Sequence, residues 1–82
     1  ANLMASKPAY DAFDEAHRLI RDDKFEEAER KVDEAIALLP REARFYGLKG
    51  DIALVQRRYN AAIDYYNQAL ARDDNYFDYY LG

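Results

Sequence analysis

Apolar residues along this chain recur at intervals of three and four, the spacing of an amphipathic helix. The pattern is clearest in two stretches, each of which begins with an aromatic residue. In the first stretch the apolar positions are Phe25, Ala28, Val32, Ala35, Ile36 and Leu39. In the second they are Tyr59, Ala62, Ile63, Tyr66, Ala69 and Leu70. No stretch alternates with a period of two, so the pattern predicts helices and no strands.

A further periodic segment precedes each of these stretches. The first contains Ala12, Phe13, Ala16, Leu19 and Ile20, and the second contains Phe45, Tyr46, Gly50, Ile52, Ala53 and Val55. Polar turns at 22–24 and 56–58 separate the two segments of each pair. Pro40 ends the first pair, because the residue before a proline is pushed out of helical geometry. Four helices are therefore predicted, over residues 8–21, 25–39, 43–56 and 59–72.

The two helix pairs repeat one another after a shift of 34 positions. Small or apolar residues coincide under this shift: Phe25 with Tyr59, Ala28 with Ala62, Ala35 with Ala69, Ile36 with Leu70, Ala16 with Gly50, Ile20 with Leu54 and Val32 with Tyr66. Small residues are expected where two helices cross closely, here at Ala16 and Ala28 and again at Gly50 and Ala62. Helix propensity alone would also favour alanine, but recurrence at one period favours the packing interpretation.

These positions resemble those of the tetratricopeptide repeat family. The second unit, residues 43–76, matches the family's small, aromatic and aliphatic positions with Tyr46, Gly50, Tyr59, Ala62, Tyr66, Ala69 and Leu70. The first unit, residues 9–42, is more divergent and keeps Ala16, Leu19, Phe25, Ala28, Ala35 and Pro40. The resemblance implies an all-α fold in which two tandem helix–turn–helix repeats form a short right-handed α-solenoid.

Two short segments flank the repeats. Residues 1–8 are predicted to be a leader segment, and residues 77–82 the truncated start of a third repeat or capping helix. Repeat arrays need about three repeats or a polar cap to cover the last apolar face, whereas this end of the chain is aromatic. We therefore expect a fragment of a longer protein, with self-association through the aromatic end as the alternative.

The runs 45–54 and 76–82 are also similar to the C-terminal repeat region of some bacterial zinc-dependent metalloproteases of the cell envelope. This second likeness implies an accessory segment that supports or gates the catalytic domain of a larger enzyme, with no catalysis in this part of it. The sequence leaves the compartment open between the cytoplasm and, for an envelope metalloprotease, the periplasm.

Composition narrows the classes of function. The 82 residues include no cysteine, which excludes disulfides and thiolate metal sites. The net charge of −4 provides no global basic field for a nucleic acid, and Glu42 and Asp51 dilute the arginines at 41, 44, 57 and 58. No apolar run reaches the roughly 18–20 residues that span a bilayer. Neither a nucleic-acid partner nor membrane insertion is predicted.

Motifs of catalysis and metal binding are also missing from the sequence. The single histidine, His17, has no HExxH motif around it and is interpreted as a surface or groove residue. Glu26 and Glu27 lie in the first turn of a predicted helix, where the macrodipole favours negative charge. Gly47 and Gly50 lie inside a helical pattern and not in a phosphate-binding loop. The chain is predicted to be no enzyme and to need no cofactor.

A binding surface on the first helix of each repeat is the remaining candidate site. In the resembled family these helices line a concave face that holds an extended or helical peptide. Carried over position by position, that face comprises Tyr10, Phe13, Asp14, His17, Ile20 and Arg21, and then Arg44, Leu48, Asp51, Leu54 and Val55. The family's carboxylate clamp needs lysine and asparagine where this chain has Phe13, His17 and Leu48, so no clamp is expected.

The resemblance thus implies a protein-interaction scaffold with a protein or peptide partner. Its surface is mixed, with apolar anchors and a few charges that would orient the partner. The same residues could instead pack against neighbouring repeats of a longer protein, and the sequence leaves both interpretations open.

Overall fold

The computed structural model describes residues 3–73, and every regular element in this range is a helix. Helix α1 spans Leu3–Arg21, α2 spans Phe25–Leu38, α3 spans Ala43–Val55 and α4 spans Tyr59–Arg72. Helix α1 packs against α2, and α3 packs against α4. The chain divides into two compact units between Pro40 and Arg41. The all-α prediction is confirmed. The predicted start of a third repeat or capping helix, at 77–82, lies outside the described residues.

Helix α1 begins earlier than the sequence pattern predicts, at Leu3 instead of residue 8. Residues 3–8 of the predicted leader segment are therefore helical and continuous with α1. Pro8 lies inside the helix, and its missing N–H removes the hydrogen bond that a helical residue donates to the carbonyl four positions earlier. An ion pair of 2.8 Å between Lys7 and Asp11 supports the same stretch, and its hydrogen bond raises the pKa of Lys7.

The helix boundaries repeat with the 34-residue period of the sequence. Three of them coincide after this shift: the end of the first helix at Arg21 and Val55, the start of the second at Phe25 and Tyr59, and its end at Leu38 and Arg72. The two units therefore share the positions of their inner turn and of their second helix, whereas α1 is six residues longer than α3.

A Schellman cap ends α1 and turns the chain into α2. Asp23 has a φ of 60° and lies in the left-handed region. The N–H of Lys24 donates to the carbonyl of Leu19 at 2.8 Å, and the N–H of Asp23 donates to the carbonyl of Ile20 at 3.0 Å. These two bonds satisfy carbonyl groups that the end of a helix would otherwise leave unpaired.

The second unit has the same cap between α3 and α4. Arg57 has a φ of 62°, the N–H of Arg58 donates to the carbonyl of Ala53 at 2.8 Å, and the N–H of Arg57 donates to that of Leu54 at 2.9 Å. Neither cap uses glycine, the residue that most often occupies its left-handed position. The second unit therefore holds a long, exposed side chain in a conformation that disfavours a Cβ atom.

Replacing Arg57 by glycine is expected to raise the free energy of unfolding by about 0.5–1 kcal/mol. A Cβ atom in the left-handed region costs roughly 1–2 kcal/mol, and the greater freedom of glycine in the unfolded chain offsets part of that gain. Urea denaturation followed by far-UV circular dichroism measures the change. Arg57→Ala is the control, because it removes the same side chain and keeps the Cβ. Equal stabilisation by both variants would contradict the explanation.

Small and apolar side chains form the core of each unit. The buried hydrophobic residues are Ala9, Ala16, Leu19, Ala28, Val32 and Ala35 in the first unit, and Ala43, Phe45, Tyr46, Leu48, Ile52, Ala53, Ala62 and Ala69 in the second. Within residues 3–73 no polar or charged side chain is buried. Ala16, Ala28 and Ala62 are at most 2% exposed, as the packing interpretation of the small residues requires.

Helices α3 and α4 approach closely at Gly50. A Cβ added at this position would lie 2.5 Å from Cε1 of Tyr66 and 2.6 Å from Cδ1 of the same ring. The ring of Tyr66 therefore lies directly over the backbone of α3, and its hydroxyl donates to Oδ1 of Asp51 at 2.5 Å. The predicted close crossing at Gly50 is confirmed. The equivalent positions of the first unit hold Ala16 and Val32.

Candidate partner-binding surface

The predicted surface residues of the first unit lie along one face of α1. Tyr10, Asp14, His17 and Arg21 follow one another at intervals of four, three and four, which places them in a row. Asp14, His17 and Arg21 are exposed, and Tyr10 is half-buried. Phe13 flanks the row and meets the ring of His17 edge to face, with 4.7 Å between ring centroids and an interplanar angle of 88°. This face of α1 thus combines the charges of Asp14 and Arg21 with the ring pair of Phe13 and His17.

Ion pairs elsewhere on α1 leave two charges of this row unengaged. The pairs are Lys7 with Asp11 and Glu15 with Arg18. Asp14 and Arg21 take part in no ion pair or hydrogen bond between side chains within residues 3–73. Because both are exposed, a partner can reach them without breaking an internal contact. Ile20, the other predicted residue of this unit, is half-buried.

Two of the predicted surface residues on α3, Arg44 and Leu48, are less available to a partner than the sequence suggests. Glu42 is the N-cap of α3, and its carboxylate accepts hydrogen bonds from Nε and Nη2 of Arg44 at 3.1 Å each. This bidentate pair neutralises the guanidinium. Leu48 is only 4% exposed and belongs to the core. Its assignment to the surface is corrected, because a position carried over from a family does not show how far this side chain is buried.

The C-terminal half of α3 presents the other predicted residues at the surface. Asp51 is exposed and accepts the hydroxyl hydrogen bond of Tyr66. Leu54 and Val55 are 48% and 55% exposed. Two neighbouring apolar side chains are thus available where α3 ends, beside one carboxylate that is already engaged.

Two cation–π contacts between α3 and α4 were not predicted from the sequence. The guanidinium of Arg72 lies 3.8 Å from the ring centroid of Tyr46, and Nζ of Lys49 lies 4.5 Å from that of Tyr65. Both use basic side chains to hold the hairpin together. The signal that could have found them is the crossing at Gly50, since it determines which residues of the two helices face each other.

The described part of the chain holds neither a cluster of metal ligands nor a helix suited to cross a membrane. Between residues 3 and 73, histidine, aspartate and glutamate form no group of three or more that could hold a metal ion. None of the helices described there combines the length and apolar character needed to cross a membrane.

Two helical hairpins with one period and one cap geometry define a helical-repeat protein. A family model described as Tetratricopeptide repeat matches residues 13–77. This match covers most of the chain, and the chain therefore belongs to the tetratricopeptide repeat family. No curated protein and no solved structure matches it. The likeness of 45–54 and 76–82 to metalloprotease repeat regions has no support in these comparisons and stays a prediction.

Proposed function

We propose that this chain is a protein-interaction scaffold that binds a polypeptide through the first helix of each unit. Its family membership supports a role in protein–protein interaction. The observation that carries the proposal is the exposure of Leu54 and Val55, 48% and 55%, at positions where the family binds its partners. Exposed apolar side chains beside polar ones provide anchors for a partner. The row on α1 adds charges that would orient it.

The same proposal assigns no catalytic step to the chain. Tetratricopeptide repeats generally act by binding, and family membership is what supports this assignment. Within the row on α1, His17 packs against the ring of Phe13. We assign this histidine to partner contact and not to proton transfer.

Leu54→Ala is expected to weaken the binding of a peptide about 3–10-fold. Covering a half-exposed leucine contributes roughly 1 kcal/mol, and 1.4 kcal/mol corresponds to a tenfold change in affinity. An immobilised library of random peptides selects ligands of the unmodified chain, and fluorescence anisotropy then gives the Kd of the best one for each variant. Leu38→Ala is the matched control, because Leu38 is 40% exposed but lies on α2.

The results of this experiment separate the alternatives. Equal losses in Leu54→Ala and Leu38→Ala would place the binding surface elsewhere and contradict the proposal. The alternative function would be favoured if no peptide of the library bound and the chain bound instead to the catalytic domain of a larger enzyme that contains it. That alternative is an accessory C-terminal segment of a larger enzyme such as a bacterial zinc metalloprotease.

A further inference from the structure

Helix α1 carries an exposed acidic and an exposed basic side chain on one face. Asp14 and Arg21 are seven positions apart, which is two helical turns and about 10 Å along the axis at roughly 1.5 Å per residue. Neither is engaged by another side chain within residues 3–73. His17 lies between them, and the ring of Phe13, which flanks the row, contacts the ring of His17. Along the helix, the surface therefore runs from negative through aromatic to positive.

The second unit does not repeat this arrangement. Its residues at the positions of Asp14 and Arg21 are Leu48, which is 4% exposed, and Val55, which is uncharged. Since the second unit forms a packed helical hairpin without these charges, the charge pair is not a requirement of such a hairpin. It is a specific property of α1.

We propose, on the basis of the function proposed above, that α1 recognises a peptide segment with a basic and an acidic residue three positions apart. In an extended polyproline-type segment, residues three apart point to the same side and lie about 9 Å from each other. That distance is close to the rise of about 10 Å between positions 14 and 21 along the axis of α1. The basic side chain pairs with Asp14, the acidic one pairs with Arg21, and an apolar residue between them lies against the rings of Phe13 and His17.

The order of the two charges on α1 makes the recognition selective. A segment with two basic residues brings one of them against Arg21, and a segment with two acidic residues brings one against Asp14. Each mismatch replaces an attraction by a repulsion. Exposed ion pairs have modest strength, so we expect a preference of roughly 3–10-fold for the mixed segment. Added salt reduces this preference because it screens exposed charges.

Three synthetic peptides test the inference on the full chain by chemical-shift titration. The mixed peptide is Gly-Lys-Ala-Leu-Glu-Ala-Gly. The second carries lysine at both charged positions, and the third carries glutamate at both. We expect the mixed peptide to bind about 3–10-fold more tightly than either of the others at low salt.

Variants that neutralise one charge of α1 then identify which peptide residue each charge recognises. Asp14→Asn is expected to abolish the preference over the two-glutamate peptide and to keep the preference over the two-lysine peptide. Arg21→Gln is expected to do the reverse. Asp11→Asn is the control, since it makes the same change on the same helix at a carboxylate already paired with Lys7. It should leave both preferences unchanged.

The outcomes separate this inference from the proposed function. Suppose that the three peptides bind with equal affinity while Leu54→Ala still weakens the binding of the library-selected ligand. The proposed recognition of charged peptide residues by α1 is then overturned, and the scaffold function stands. If Asp11→Asn changes the preferences as much as Asp14→Asn does, the role of Asp14 is likewise overturned. If the chain binds neither these peptides nor any library peptide, both proposals fail.

Discussion

Phe45→Ala is expected to lower the free energy of unfolding by about 3–5 kcal/mol. Phe45 is 0% exposed and is the largest of the fully buried side chains. Truncating a buried phenylalanine to alanine costs about 3–5 kcal/mol, because apolar contacts are lost and a cavity remains. At roughly 0.05–0.15 kcal/mol per residue, the 82-residue chain has a stability of about 4–12 kcal/mol, so this loss is a large part of it. Far-UV circular dichroism with and without urea measures the loss of helix.

Tyr59→Ala provides the control for this experiment. Tyr59 is also aromatic and begins α4, but it is 56% exposed. Its truncation should lower the free energy of unfolding by less than about 1 kcal/mol. Similar losses in the two variants would show that burial of Phe45 does not control the stability of the chain.

Gly50→Ala is expected to lower the free energy of unfolding by about 1–2 kcal/mol, although alanine is the better helix former. Alanine in place of glycine gains up to about 1 kcal/mol in a helix. Against this gain, the new Cβ would lie 2.5 Å from the ring of Tyr66. Moving that ring disturbs its hydrogen bond to Asp51, and overpacking of this kind costs typically 1–3 kcal/mol. Urea denaturation measures the balance.

The sign of this effect should reverse when Tyr66 is replaced by valine. The double variant Gly50→Ala/Tyr66→Val has the residues that the first unit carries at Ala16 and Val32. Without the ring, the added methyl no longer clashes, and Gly50→Ala should stabilise the Tyr66→Val chain by up to about 1 kcal/mol. A double-mutant cycle that shows no coupling between the two positions would contradict the crossing as the cause.

Apart from the start of α1, the ends of the helices could be predicted from the sequence to within one residue. The predicted range of α4 matches the structure, and the predicted ends of α2 and α3 differ from it by one residue each. Period-34 recurrence of small residues also identified the crossing at Gly50, because only a small residue tolerates a ring so close to the backbone. These features depend on the local spacing of apolar and small residues, which can be determined from a single sequence.

Other features depend on contacts that a local pattern does not specify. The predicted start of α1 was five residues late, because the apolar residues whose spacing reveals this helix begin only at Ala12. The burial of Leu48 was missed because the direction of its side chain depends on how α3 packs. The caps at Asp23 and Arg57 were read only as polar turns, since neither contains the glycine that would signal a left-handed residue.

The pairing of Gly50 with Tyr66 has a consequence for how such a chain can be rearranged by genetic recombination. A crossover inside an inner turn would join the first helix of one unit to the second helix of the other. One hybrid would place Ala16 against Tyr66, with a methyl in the way of a ring, and its reciprocal would place Gly50 against Val32, with a gap where the ring had been. A crossover between Pro40 and Arg41 exchanges matched hairpins and avoids both faults. Whole hairpins, and not single helices, are therefore the modules that can be duplicated or shuffled without loss of fit.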